Sequence, residues 1–426
     1  MTTARRVAIL GGVRIPFCKN NTAYFDIGNL GMSIKTLGAL VEKFNLQGEQ
    51  LGEVAMGAVL KHSSDWNLGR EATLSSGLSP LTPGITLQRA CGTGLDSVIT
   101  IANKIALVQI EAGIGGGSDT TSDVPIAVNK RLRRRLLDIN MAKTFGARLG
   151  AAFKGFRFSE LKPEFPGVAE PRTGKAMGDH CEAMAKEWQI ARADQDLLAY
   201  ESHQKAAAAY ERGFFKDLLA PFRGLERDGI LRPDTTLEKL ATLKPAFDKR
   251  SGQGTLTAGN STNLSDGASA ALLASEEWAR AHNLPVQAWL VDAQVAAVDF
   301  ERGEGLLMAP TIAVAQLLQR RGLTLQDFDF YEIHEAFAAQ VLCTLKAWES
   351  ADYCRDRLGL AAPLGSIDRA KLNVVGSSLA VGHPFAATGA RIVATAAKLL
   401  EERGSGRVLI SICTAGGMGV VAILER

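Results

Sequence analysis

Short apolar runs alternate with helical patterns over the first 120 residues. The strand-like runs lie at residues 7–10, 54–59, 85–87 and 112–117, and helical patterns lie near residues 27–44 and 95–108. The alternation returns in the last hundred residues, with strand-like runs at 328–333, 372–375, 408–412 and 420–424 and a helix near 389–400. This order predicts an α/β protein with a mostly parallel sheet and crossover helices.

Two of the predicted helices are apolar on nearly every side. One follows Cys91 and covers residues 95–108, and the other covers residues 390–400. A helix without a polar face must be buried between layers. Two such helices between two sheets predict a five-layer αβαβα sandwich.

The two ends of the chain also share one plan. In each, a glycine-flanked turn opens a buried helix, and the strand that follows ends in glycines, Gly115–Gly117 in the first copy and Gly416-Gly417 in the second. Residue identity between the copies is low, so the repeat signal is weak on its own. We therefore expect an N-terminal half at residues 1–274, interrupted by an inserted, mostly helical loop domain at 120–252, and a C-terminal half at 285–426.

Composition excludes several classes of protein. The net charge of +3 argues against a nucleic-acid-binding protein, and no stretch approaches the roughly 20 apolar residues of a membrane span. The six cysteines have no CxxC pair or regular spacing, which argues against a disulfide framework and a zinc site. Because no secretory signal precedes the first strand, we expect a cytoplasmic location.

A basic segment stands out within the insertion. Residues 130–162 contain ten Lys or Arg against Asp138 and Glu160, a local net charge of +8. The segment is either the solvated face of an amphipathic helix or a dock for an anionic ligand, a partner subunit or a membrane surface, and the sequence leaves these open.

Cys91 is the first candidate for chemistry. It lies in a turn between a strand-like run and a buried helix, where the helix dipole would lower the pKa of the thiol and favour the thiolate. Gly92 and Gly94 would allow a substrate to approach closely. A lone cysteine in an apolar region is nevertheless more often a core residue.

Two further residues change that balance. His383, in a Gly-His-Pro turn, can accept the proton of a nearby thiol, and Cys413 precedes a loop whose N–H groups can form an oxyanion hole. Cys413 can also exchange a proton with a substrate carbon. Each alone would more often be structural.

Together these three segments resemble the active-site signatures of the thiolase family, in order and spacing and across almost the whole chain. Residues 244–247 and 257–262 are similar to the coenzyme A segment of the family. Met177-Gly178, followed by Glu182, resembles its loop beside the pantetheine. The resemblance places Met177, Arg232, Ser261 and Thr262 against coenzyme A.

Two departures refine the resemblance. His334 stands in His-Glu-Ala-Phe where most thiolases have asparagine, which resembles the degradative branch that includes the β-subunits of fatty-acid oxidation complexes. Ala415 replaces the first glycine of the C-terminal loop. A backbone N–H donor tolerates alanine there if φ stays negative.

The resemblance implies thiolysis of a 3-ketoacyl-CoA through an acyl-Cys91 intermediate, reversible to Claisen condensation. His383 would be the base and Cys413 the proton donor. His334 and the N–H groups of Cys91 and Ala415 would stabilise oxyanions. Neither a metal nor a cofactor is expected, since coenzyme A is a substrate. The implied partners are a second or further copies of the chain, as a homodimer or homotetramer, and a hydratase/dehydrogenase α-subunit.

Three alternatives stay open at this point. The chain could be an acetyl-CoA C-acetyltransferase that forms acetoacetyl-CoA, or a β-ketoacyl synthase, which resembles a Cys-His-His or Cys-His-Asn set. It could also be a thiolase-like carrier without turnover. The second thiol, Cys413, argues against the last two.

Overall fold

The computed structural model describes residues 5–426. Its strands are β1 (Val7–Arg14), β2 (Cys18–Lys19), β3 (Glu53–Gly57), β4 (Gly84–Leu87), β5 (Ala112–Asp119), β6 (Ala127–Val128), β7 (Pro163–Glu164), β8 (Ser265–Ala274), β9 (Ala288–Ala297), β10 (Phe330–Ile333), β11 (Arg407–Thr414) and β12 (Met418–Glu425). All but one of the sequence-predicted strands coincide with these elements.

The helices comprise α1 (Asn29–Lys43), α2 (Leu68–Leu74), α3 (Thr93–Ala106), α4 (Lys130–Met141), α5 (Phe145–Phe153), α6 (Met177–Glu187), α7 (Arg192–Glu211), α8 (Leu237–Ala241), α9 (Glu276–Ala281), α10 (Ala309–Arg321), α11 (Ala338–Glu349), α12 (Ala351–Leu358), α13 (Ser378–Val381) and α14 (Ala387–Arg403). Within residues 5–426, none is both long and apolar enough to cross a membrane.

Of the strands in residues 5–426, β6 and β7 pair with each other, and the other ten form one mixed sheet whose order repeats. Antiparallel pairings outnumber parallel ones in it, so the prediction of a mostly parallel sheet is wrong. From the middle outwards, one side runs β1-β8-β5-β3-β4 and the other runs β9-β12-β11-β10. On each side, the two pairings nearest the middle are antiparallel and the outer pairings are parallel. The two sides meet where β1 pairs with β9 over three residues. The short junction lets the two halves of the sheet face each other across a shared layer of helices.

That shared layer consists of α3 and α14. They contact each other and strands of both sheet halves, and their apolar side chains form one buried cluster with β1, β8, β11 and β12. Helices α1 and α2 cover the outer face of one half, and α10 and α11 cover the other. The five-layer sandwich predicted from the two all-apolar helices is confirmed.

The strand predicted at 372–375 is wrong. Leu372 makes one isolated bridge with Tyr331, and the chain then turns, because Asn373 has a φ of 45°. The Asn373 side chain accepts from the N–H of Ile333 and donates to its carbonyl, each at 2.9 Å. This amide takes the place that a neighbouring strand would have beside β10.

The basic segment forms a helical hairpin, α4 and α5, which we call the basic hairpin (residues 130–153). Arg135 holds it closed, since its guanidinium donates to the Glu160 carboxylate and to carbonyls at the end of α5. More than half of the large apolar side chains that are exposed in the described part of the chain lie at residues 126–168, among them Phe145 and Phe153. The hairpin therefore presents a surface that is both basic and apolar.

Candidate active site

Cys91 lies in a strained turn between β4 and α3. The residue before it, Ala90, has a φ of 42°, in the left-handed region that residues with a Cβ seldom adopt. Thr93, at the start of α3, supports the turn: its hydroxyl donates to the Ala90 carbonyl and accepts from the N–H of Arg89. The turn presents the Cys91 side chain, half-buried, at the N-terminal end of a buried helix.

Packing within the protein requires Gly92 and Gly94. A Cβ on Gly94 would lie 2.4 Å from the carbonyl oxygen of Ala386, and one on Gly92 would lie 2.8 Å from Val420. On the facing helix, a Cβ on Gly389 would lie 2.0 Å from the backbone nitrogen of Leu95. The glycines let α3 and α14 cross in backbone contact. That crossing brings the turn before each helix to one place.

His383 occupies the turn before α14. Gly382, with a φ of 104°, redirects the chain, and the N–H of His383 donates to the Ser265 hydroxyl at 3.2 Å. The ring is buried, with Nδ1 2.6 Å from Thr388 Oγ1, and Nε2 has no hydrogen-bond partner within the described residues. An unpaired buried Nε2 is available to a reacting group.

His334 lies directly after β10 and beside His383. Its N–H donates to the Ser411 carbonyl on β11, and the two imidazole centroids are 4.1 Å apart. Side-chain donor atoms of Cys91, His334 and His383 all lie within 4.8 Å of one another. The sequence-predicted nucleophile, base and oxyanion donor therefore share one small space, whose residue types could also hold a soft cation.

Cys413 is fully buried near the end of β11, in register with Gly419 on β12. Between these strands Gly416 and Gly417 both have positive φ, at 77° and 68°. Ala415 does not have positive φ, so alanine is accommodated without strain, as expected. The loop directs the Ala415 N–H towards the Cys91 sulfur, where it stabilises the thiolate.

Burial dominates the electrostatics of the site. It raises the pKa of the Cys91 thiol to about 12, although the N–H groups of Ala415 and of Cys91 itself act in the opposite direction. Burial, together with a smaller effect of the nearby Arg391, lowers the pKa of His383 to about 3. Burial also raises the pKa of Cys413 well above its usual value. The N–H groups act on the Cys91 pKa in the expected direction, but the expected net lowering is wrong, because desolvation outweighs them; the resting pair is thiol and neutral imidazole.

Two carboxylates at the site were missed by sequence reasoning. Glu170, from the insertion, is buried and accepts from the N–H of Gly416 at 2.6 Å, so it ties the insertion to the glycine loop. Asp119, at the end of β5, accepts from the N–H groups of Val59, Leu60 and Ala386 and fixes the turn before α14. Burial raises the pKa of Asp119 to about 7. Only Asp119 carries a sequence signal, as a charged residue directly after a glycine strand.

The candidate coenzyme A residues lie apart in the chain but on elements next to the site. Met177 begins α6 and is half-buried against the apolar cluster around Cys413, whereas Arg232 is exposed in a loop. Thr262 donates its hydroxyl to the carbonyl of Ala336, and the buried Ser261 hydroxyl has no partner within residues 5–426. Ser261 is thus the residue of this pair with an unengaged hydroxyl.

Comparison with known proteins gives matches over nearly the whole chain. The family model "Thiolase, N-terminal domain" matches residues 7–277, and "Thiolase, C-terminal domain" matches residues 284–426. A 3-ketoacyl-CoA thiolase of Photorhabdus laumondii is 40% identical over 99% of this chain and 97% of its own length. One from Shewanella sp. (strain W3-18-1) is 38% identical over the same shares.

Solved structures agree. A Bacillus anthracis acetyl-CoA acetyltransferase superposes with a TM-score of 0.82 at 29% identity, covering 100% of both chains. Human mitochondrial 3-ketoacyl-CoA thiolase in complex with CoA superposes with a TM-score of 0.81 at 29% identity, covering 100% of this chain and 99% of its own.

Proposed function

Because the chain belongs to the thiolase family, we propose that it passes acyl groups through Cys91, with His383 and Cys413 moving the protons. It is an acyltransferase, an acyl-CoA:acetyl-CoA C-acyltransferase, and the reaction with the best support is cleavage of a 3-ketoacyl-CoA by free coenzyme A. The observation that carries the residue assignment is the grouping of Cys91, His334 and His383 within 4.8 Å, next to the loop that follows Cys413.

The first half-reaction forms an acyl-enzyme. His383 Nε2 accepts the Cys91 proton as the sulfur attacks the 3-keto carbon, so a costly buried thiolate need not exist beforehand. The bond between C2 and C3 then breaks, its electron pair goes to C2 of the departing acetyl-CoA, and the Cys413 thiol protonates that carbon. The raised pKa of Cys413 keeps its proton in place until this step.

The second half-reaction returns each proton. The Cys413 thiolate accepts the proton of free coenzyme A, whose sulfur attacks the acyl-Cys91 thioester. Cys91 leaves as a thiolate and regains its proton from His383. The product is an acyl-CoA shortened by two carbons, and the reverse sequence is a Claisen condensation.

Two oxyanions form on this route. His334 and His383 surround one position, and the N–H groups of Cys91 and Ala415 converge on the Cys91 sulfur and fit the other. Preorganised donors of this kind each lower the barrier by about 3 kcal/mol. No step requires a metal ion, and we propose that the enzyme needs neither a metal nor a cofactor.

Around this centre, Met177, Arg232, Ser261 and Thr262 are the proposed contacts to coenzyme A. The support is their position beside the site, the free hydroxyl of Ser261 and the exposed charge of Arg232, which suits a phosphate.

We also propose that the chain has two halves. The first is residues 1–274, of which 1–4 lie outside the described residues, and it contains the insertion at 120–252; the second is residues 285–426. The repeated strand order supports this division.

We assign the enzyme to fatty-acid β-oxidation, so it should prefer long substrates. With purified enzyme and coenzyme A, we expect kcat/KM for a long-chain 3-ketoacyl-CoA to exceed that for acetoacetyl-CoA by at least about 10-fold, since each buried methylene contributes about 0.8 kcal/mol. A chelator should leave both rates unchanged. Products are measured by mass spectrometry. A preference for acetoacetyl-CoA would support the acetyltransferase alternative, and no thiolysis of either would contradict the function.

All six cysteines are free, which supports the proposed cytoplasmic location because thiols persist in reducing compartments.

Self-association as a homodimer or homotetramer is also proposed. Its support is β4, one of the two terminal strands of the sheet in the described chain, because an open sheet edge can pair with a second copy.

The basic hairpin is the proposed docking surface for a hydratase/dehydrogenase subunit. Protein interfaces are enriched in aromatic residues and Arg, and this surface combines Phe145 and Phe153 with exposed arginines. A partner with a complementary acidic face would cover both features.

Replacing Arg131, Arg133 and Arg134 with serine should weaken binding of the purified hydratase/dehydrogenase subunit at least about 10-fold and leave kcat unchanged. Arg135 is left intact because it closes the hairpin. The control replaces the exposed residues Lys216, Arg280 and Arg321 with serine. Light scattering measures the mass of the chain alone and of the mixture. Unchanged affinity, or binding only to vesicles that contain phosphatidylglycerol, would overturn this assignment.

A further inference from the structure

A buried arginine lies behind the two active-site histidines. Arg391, on α14, is only 2% exposed, and one of its terminal nitrogens donates to Ser378 Oγ at 2.8 Å. The same Oγ lies 2.8 Å from His334 Nδ1. Arg391, Ser378 and His334 thus form a chain of two hydrogen bonds that ends at the site.

The direction of this chain follows from which groups can donate. A guanidinium can only donate, so Ser378 Oγ must accept from Arg391. Within the described residues, the Ser378 hydroxyl has no acceptor other than His334 Nδ1. If Nδ1 carried the proton instead, the buried hydroxyl hydrogen would be left without an acceptor, which costs about 1–3 kcal/mol.

We propose that Arg391 and Ser378 are positioning residues that hold neutral His334 in the tautomer with its proton on Nε2, aimed at the substrate thioester or keto oxygen. His334 Nε2 is fully buried and has no partner within residues 5–426, so its N–H is free for a substrate. Burial, with smaller contributions from the neighbouring His383 and Arg391, keeps the pKa of His334 well below its usual value, consistent with a neutral ring.

The neighbouring His383 requires the opposite tautomer. As a base it needs a lone pair on Nε2, so its proton must be on Nδ1, where Thr388 Oγ1 lies 2.6 Å away and can accept it. The two imidazole centroids are 4.1 Å apart. The rings would then differ in role because the hydroxyl at one Nδ1 donates to the ring and the hydroxyl at the other accepts from it. One donates to the developing oxyanion and the other removes the Cys91 proton.

The inference rests on the proposed function for its effect on rate but not for its structural claim. Its test is nitrogen NMR of protein with 15N-labelled histidine, assigned with a His334→Asn variant, which reports which ring nitrogen carries the proton. The wild type should show His334 protonated on Nε2. In Ser378→Ala that preference should be lost, and kcat for thiolysis should fall about 10-fold to 100-fold, because an oxyanion donor contributes about 10²–10³ in kcat. KM should change less than about 3-fold.

Two variants separate positioning from a structural effect. Ser378→Thr restores the hydroxyl and should recover most of the activity. Ser377 also accepts a hydrogen bond from Arg391, at 3.2 Å, but it does not contact His334. Ser377→Ala should therefore leave the His334 tautomer and kcat unchanged. Thermal unfolding of each variant shows whether the fold is retained.

His334 protonated on Nδ1 in the wild type would overturn the proposal, as would an unchanged tautomer and kcat in Ser378→Ala. If the tautomer responds as expected but the wild type catalyses no thiolysis, the proposed function fails and the positioning role stands.

Discussion

Replacing Cys91 with alanine should lower the thiolysis rate by about 10⁴-fold or more, because loss of a covalent nucleophile removes the whole two-step route. No other thiol can substitute. Cys413 is fully buried, and burial raises the pKa of its thiol well above the usual value. The measurement is initial rates with a 3-ketoacyl-CoA and coenzyme A, together with mass spectrometry of peptides after a substrate pulse. An acyl adduct should be found on the wild-type peptide that contains Cys91 and be absent from the variant.

The matched control is Cys343→Ala. Cys343 is a buried thiol on α11, outside the group formed by Cys91, His334 and His383, so its loss tests whether removal of any core thiol impairs turnover. We expect near-normal rates. Near-normal thiolysis by Cys91→Ala would show that the nucleophile is elsewhere.

The parts of the fold that sequence predicts are those whose environment is uniform. Helix α14 is buried along most of its length and α3 over more than half of its residues, so their apolar pattern indicates both the helix and its place between layers. β9 was not predicted, since Asp292 and Gln294 interrupt its apolar pattern. Their side chains bind Arg320 on α10, a contact that only the tertiary structure supplies.

The site shows the same division between local and distant information. Motifs locate Cys91, His383 and Cys413, because each lies in or just before a glycine-containing turn with a recognisable sequence. Glu170, Ser378 and Arg391 act through partners far along the chain, and a sequence without aligned relatives does not show which distant residues meet. Their roles depend on contacts made in the folded chain rather than on the residues next to them in the sequence.

The sign of the Cys91 pKa shift is the clearest lesson of this kind. The turn before a helix favours a thiolate, and the sequence shows that turn. It does not show that the crossing of α3 and α14 seals the turn, so burial becomes the larger effect. The consequence for mechanism is that His383 must remove the proton during attack.

The second large effect expected is a split between half-reactions in Cys413→Ala. The variant should still become acylated on Cys91 by acetyl-CoA, because Cys91 and His383 carry out the attack, and a coenzyme A thiolate, unlike a carbanion, can leave without a proton from Cys413. Cleavage of a 3-ketoacyl-CoA should fall by about 10²–10⁴-fold, the usual contribution of a general acid, since the departing carbanion has no proton donor. The same loss should appear in exchange of the acetyl α-protons with deuterated water.

Three measurements on one sample of the variant test this split: the amount of acyl-enzyme by mass spectrometry, the rate of thiolysis, and the exchange of α-protons by NMR. Cys413→Ser is the matched variant, because a hydroxyl fills the same buried position but has a much higher pKa than a thiol, so it should restore packing without restoring exchange. Burial raises the pKa of Cys413, so this thiol keeps a proton that it can give to the carbanion. Loss of acylation with normal exchange would reverse the roles of the two cysteines.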